Sequence, residues 1–140
     1  MAIRIVRLGS ARAKGEGVRL GTVRRPPRGV KKADYAKLDF YDAWLPELAP
    51  SAALVQSIVG EAEVTPARWA KFAKSYRREM AEPERARLLD VLARLSHNAD
   101  FAVGCYCENE QRCHRSILKA LLAEHGAEIV AGFVAGMPAS

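Results

Sequence analysis

Apolar positions along this chain fall into two kinds of run: short β-branched or aromatic stretches near residues 3, 18, 101 and 127, and longer stretches with helical spacing between them. IRIVRL (3–8) is short and β-branched, which predicts a strand. GSARAKGEG (9–17) follows as a flexible connection, and VRLGTV (18–23) alternates well enough to be a second strand, hairpinned to the first. RRPPRG (24–29) ends that strand, because neither proline can donate to a ladder.

Helical spacing takes over from residue 41. LDFYDAWLPELAPSAALVQSIVGEAE (38–63) predicts a short helical piece at 41–48, a break near Pro50, and a second helix capped by Ser51 and running to about Val59, with Gly60 ending it. Thr65 and Pro66 open a third helix through Met80, on which Trp69, Phe72, Ala73, Tyr76 and Met80 form one apolar stripe. Arg68, Lys71, Lys74, Arg77 and Arg78 cover the rest, as a solvated face does. Pro83 opens another helix, with Leu88, Val91, Leu92 and Leu95 as its buried stripe.

FAVGCYC (101–107) is the most strand-like run in the protein, apolar and too short for a helix. ENEQR (108–112) joins it to a helix starting near Cys113, with Ile117, Leu118, Leu121 and Leu122 facing the core and Gly126 as its stop. AEIVAGFVAG (127–136) is a last strand, and residues 137–140 a frayed tail. Strand, helix, strand in that order is a βαβ unit with parallel strands. The predicted fold is a single compact three-layer α/β domain over residues 1–140, its mainly parallel central sheet flanked by helices.

Composition adds limits. No run approaches the ~20 apolar residues of a membrane span, and arginines stand where a signal peptide carries its apolar core, which predicts a cytoplasmic protein without a membrane partner. The three cysteines lie within nine residues and are odd in number, so reduced thiols are expected rather than a disulfide framework. Charge is lopsided: residues 1–37 carry a net +9, the remainder −3. A basic third points to a phosphate-bearing small molecule or nucleic acid as partner.

Candidate chemistry concentrates in GCYCENEQRCHRSILKALL (104–122). In open α/β sheets, ligands collect beyond the carboxyl ends of parallel strands, where loops enter helix N-termini. Unpaired amides and the helix dipole favour an anion there, with Arg112 and Arg115 adding charge. The same field lowers a thiol pKa, making Cys107 or Cys113 a candidate nucleophile, with His114 as proton donor or acceptor and Glu108 as its orienting carboxylate or as base. Cys105, inside an apolar strand, reads as a small buried hydrophobe.

Zinc accepts these ligand types, but Cys105 and Cys107 alternate along a strand while Cys113 and His114 diverge on a helix, so no metal ligand is assigned and no cofactor is expected. A Walker loop and a phosphatase loop are both excluded: the first lacks its Gly-Lys-Ser/Thr ending, and the second needs an arginine where Cys113 stands.

VGCYCENEQRCHRSILKALL, YDAWLPELAPS (41–51) and WAKFAKSYRREM (69–80) together resemble a bacterial family called domain of unknown function 488. The resemblance runs from about residue 18 to 126. It implies a compact α/β fold and no particular reaction, since fold does not dictate chemistry. The family's early Val-Asp-Arg is altered here: TVRRPPRG (22–29) keeps Arg24, Pro27, Arg28 and Gly29 but has Val23 in the aspartate's place.

These readings converge on a phosphate-binding pocket at the carboxyl edge of the sheet, built from residues 107–115 with Arg24, Arg25 and Arg28. Whether it is an enzyme stays open. A non-enzymatic nucleic-acid-binding module using the basic N-terminal third is the first alternative, and a structural zinc site at the Cys/His cluster the second. Oligomeric state is not legible.

Overall fold

The computed structural model describes residues 1–58, 64–106 and 113–130. Four strands, β1 (Ile3–Arg7), β2 (Val18–Gly21), β3 (Ala43–Trp44) and β4 (Phe101–Cys105), form a parallel sheet in the order β1-β4-β2-β3. Four helices accompany it: α1 (Ala52–Gln56), α2 (Pro66–Met80), α3 (Pro83–Leu95) and α4 (His114–Glu124). The domain is therefore α/β with a parallel central sheet, as predicted.

Two local expectations are corrected. VRLGTV does not hairpin onto the first strand, because β4 inserts between them and pairs with both: Ile5 and Leu20 each sit opposite Val103. The apolar β4, all five residues buried, needs neighbours on both edges, and it takes both. Residues 41–48 form no α-helix; Ala43–Trp44 pair with β2, and the helical part is a single 3₁₀ turn at Pro46–Leu48. There Asp42 N–H donates to Arg19 O and Leu45 N–H to Gly21 O, so the sheet edge captured a segment too short to nucleate a helix.

Chain direction decides which face the helices occupy. From β1 to β2 to β3 the path runs one way across the sheet; it returns from β3 to β4 and continues past β1, where Ile129 bridges Ile3 in parallel. Right-handed crossovers put the two return connections on the same face. These connections contain α1 to α4, and one core unites Phe72, Tyr76, Leu89, Leu118 and Leu122 with the strand residues Ile3, Phe101 and Val103. Irregular chain with one 3₁₀ turn (Lys32–Asp34) forms the other layer, and Leu8, Val23, Tyr41, Cys105 and Cys113 make a second, smaller core at the carboxyl end of the sheet. A Cβ on Gly21 would enter the Tyr41 ring, so that layer lies directly on the sheet.

Local signals explain the helix starts. Ser51 accepts from Leu54 N–H and Thr65 from Arg68 N–H, with Pro66 in the first turn of α2. On α2, Phe72, Tyr76 and Met80 are buried and the five basic residues exposed, as the stripe predicts. On α3 the buried stripe is Leu89, Leu92 and Ala93, while Val91 and Leu95 are about half exposed. Apolar residues cover more than one side of this helix; Leu88 packs partly buried against the core, and on the buried side Ser96 Oγ accepts from Glu128 N–H. Gly126 has φ +91°, the left-handed stop expected after α4. The predicted last strand is described only as far as the Ile129 bridge; its remainder, the tail and the predicted helix end at Val59–Gly60 lie outside the described residues.

Candidate functional site

The carboxyl ends of β2 and β4 adjoin the start of α4, and a cavity of about 270 Å³ opens there. Val23, Arg24 and Arg25 leave β2 along one side, Cys105 and Tyr106 end β4, and His114 enters from α4. Pro50, Val55, Ile58, Trp69 and Phe72 form an apolar wall, with the Trp69 and Phe72 rings stacked 5.2 Å apart. The sequence thus places arginines, a histidine and aromatic faces in one depression.

His114 is held firmly. Its Nε2 lies 2.7 Å from the carbonyl oxygen of Thr22, just past the end of β2, and its ring packs edge-on against Tyr76 at 5.6 Å. A carbonyl only accepts, so Nε2 donates its proton to it, and in the neutral ring Nδ1 is then the acceptor nitrogen. That Nδ1 faces Cys113 Sγ at 3.8 Å. Cys113 is the N-cap of α4 with extended φ −122° and ψ 149°, which turns its side chain back beside the next residue's ring. The divergence expected of two helical neighbours is absent because Cys113 is not helical. Cys105 Sγ completes a trio: the ligand atoms of Cys105, Cys113 and His114 all lie within 4.8 Å of one another, and all three residues are buried.

The arginines divide by role. Arg24 donates to the carbonyls of Pro50 (3.0 Å) and Ala49 (3.1 Å), bracing the loop before α1. Arg25 is exposed and lines the cavity, while Arg28 lines a neighbouring depression with Phe40 and Tyr106. Arg115 is buried at 3% exposure. Cys107, Glu108 and Arg112 lie outside the described residues. The Tyr106 hydroxyl donates to Arg25 O; burial, with nearby tyrosines adding, raises its pKa far above the usual phenol and keeps it a donor.

Sequence reasoning missed four contributors. Thr22 acts through its backbone carbonyl, which no residue-type signal announces. Trp69 and Phe72, read only as core, also form the cavity wall. Cys105, read as packing, is buried and also borders the cavity, and its place at the carboxyl end of a parallel strand was the available signal.

Two arginines of the basic N-terminal third are engaged elsewhere. Arg19, fully buried, pairs with buried Glu16 through Nε and Nη2, both at 2.9 Å, and its other nitrogen donates to Ser10 O and Asp39 O. Arg12 binds Asp39 and Asp42. Burial works to raise the Glu16 and Asp42 carboxyls, but hydrogen bonds from Arg19 and the Ala13 amide, and from Arg12 and the Arg19 amide, hold both below their ordinary pKa values.

Among the described residues, no helix is long and apolar enough to cross a membrane. A family model described as Active DUF488-N3 subclade matches residues 3–126, most of the chain. No curated protein and no solved structure matches.

Proposed function

The chain belongs to the DUF488 family, and we propose that the cavity at the carboxyl edge of its sheet binds a phosphate-bearing ligand of nucleotide type, with the Cys/His cluster at its floor supplying the chemistry. One observation carries this reading: Arg25, following β2, and His114, opening α4, line the same cavity with Trp69 and Phe72. An apolar wall with few convergent polar groups is how small-molecule sites are built. The aromatic faces suit a base or another flat group, and Arg25, exposed and mobile in charge terms, suits the anion. Arg24 contributes its stem, since its guanidinium already serves two carbonyls. His114 holds its proton on Nε2 toward Thr22 and keeps Nδ1 basic, poised to accept from Cys113 or to bind a Lewis acid.

Adenosine monophosphate is a suitable probe. Calorimetric titration should give saturable binding that responds mildly to salt and weakens about tenfold in Arg25→Ala, the effect of one charge-assisted hydrogen bond. Absence of nucleotide binding, together with oligonucleotide binding that collapses steeply with salt, would replace the pocket with the backbone-binding alternative.

A further inference from the structure

We propose that Cys105, Cys113 and His114 form a three-ligand site for a thiolate-preferring divalent cation, zinc foremost, whose fourth coordination position opens into the cavity. The inference takes from the proposed function only what that open position faces.

Three features of the cluster support it. Separation comes first: tetrahedral zinc with Zn–S near 2.3 Å and Zn–N near 2.0 Å places neighbouring ligand atoms roughly 3.5–3.8 Å apart. Cys113 Sγ and His114 Nδ1 are already 3.8 Å apart, and no pair in the trio exceeds 4.8 Å, so a small rotation of Cys105 closes the set. Orientation comes second. Ligating histidines donate their other ring N–H to a carbonyl or carboxylate, which fixes the tautomer and strengthens the donor nitrogen. Thr22 O does this at 2.7 Å, leaving Nδ1 aimed at the thiol. Access is the third: Cys105 and His114 border the cavity, which Cys113 does not line, although both thiols are 2% exposed.

That last difference separates a ligand from a nucleophile. A thiol that attacks substrate must reach the cavity, and Cys113 is buried in the second core and does not line it. A thiolate that binds metal from behind loses nothing by burial. Two cysteines and one histidine, the ligands present among the described residues, match the ligand set of catalytic zinc, where three protein ligands leave room for water or a substrate oxygen. The positive end of α4 adds stabilisation for a thiolate at its N-cap. In this arrangement the cation would take an oxygen of the bound ligand or a water, in the cavity that Arg25 also lines.

Elemental analysis of the purified full chain should find near-stoichiometric zinc. After chelation under reducing conditions, titration with cobalt(II) should saturate at one equivalent, giving a sulfur-to-cobalt charge-transfer band and the visible bands of a tetrahedral site. Cys113→Ser and Cys105→Ser should each lower the charge-transfer intensity per bound cobalt by about half, the share of one thiolate in two. Failure of the wild-type chain, folded by circular dichroism, to develop that band at excess cobalt overturns the metal site regardless of how the variants fold. Arg25→Ala separates the two proposals: it should retain the cobalt spectrum while losing adenosine monophosphate. A wild-type chain that binds adenosine monophosphate but develops no cobalt band leaves the pocket standing and removes the cation.

Discussion

Arg19 and Arg25 lie six positions apart on and just after one strand, yet they belong to different economies of charge. Arg19 points into the layer opposite the helices, fully buried, its guanidinium engaged by Glu16 and two backbone carbonyls. Arg25, beyond the strand end, is exposed on the rim of the cavity. Strand alternation chose the first environment and the loop before Pro26 the second. A net +9 in the first 37 residues therefore overstates what a polyanion meets, since Arg12, Arg19 and Arg24 are already engaged inside the molecule.

Breaking the buried member should have the largest effect. Arg19→Ala strands the Glu16 carboxylate and two carbonyls, and chemical denaturation should show a loss of about 3–5 kcal/mol. A loss under about 1 kcal/mol would mean that water reaches the pair. Acid should act on the same region more gently. Because the Glu16 and Asp42 carboxyls have folded pKa values below their ordinary 4.5 and 3.8, their contribution is complete above those values and disappears as pH falls through the lowered ones. Denaturation midpoints should thus hold steady to about pH 5 and fall below it, and Glu16→Gln should flatten the fall.

Tyr76→Phe tests a third buried polar contact, the hydroxyl donating to Leu48 O at 2.6 Å under α2. Its removal leaves that carbonyl unsatisfied and should cost about 1–3 kcal/mol. Smallest of all is Arg25→Ala on stability: an exposed rim residue should change it by no more than about 0.5 kcal/mol, while ligand affinity drops. A large destabilisation there would place Arg25 in the scaffold with Arg19.

The two regions also differ in how well sequence announces them. The α4 start was legible because Cys113-His114 precedes an apolar helical run after a strand-like segment, and chain order puts such a junction at the carboxyl edge. The parallel partner of β1 was not legible locally. VRLGTV fits a hairpin or a parallel strand equally well, and only β4, eighty residues later, decides by entering between them. Ala43–Trp44 carry no strand pattern of their own and are strand because β2 has an edge to fill. The Cys113–His114 approach was misread for a similar reason: it depends on the N-cap's extended backbone, one residue short of the helix. On α3, Val91 fits the stripe by spacing and is exposed, because packing selected the neighbouring side of an ambiguous helix.

Central to the account is that the anion partner enters the cavity at His114 and Arg25 rather than lying along the basic arm or the exposed cationic face of α2. Nuclear magnetic resonance mapping with adenosine monophosphate tests this most directly. Chemical-shift changes should concentrate on the Trp69 indole, Val23, Arg25, Tyr106 and His114, and need about ten times more ligand in Arg25→Ala. Changes spread over Lys31, Lys32 and the α2 residues Lys71, Lys74 and Arg78, with the cavity residues silent, would contradict it.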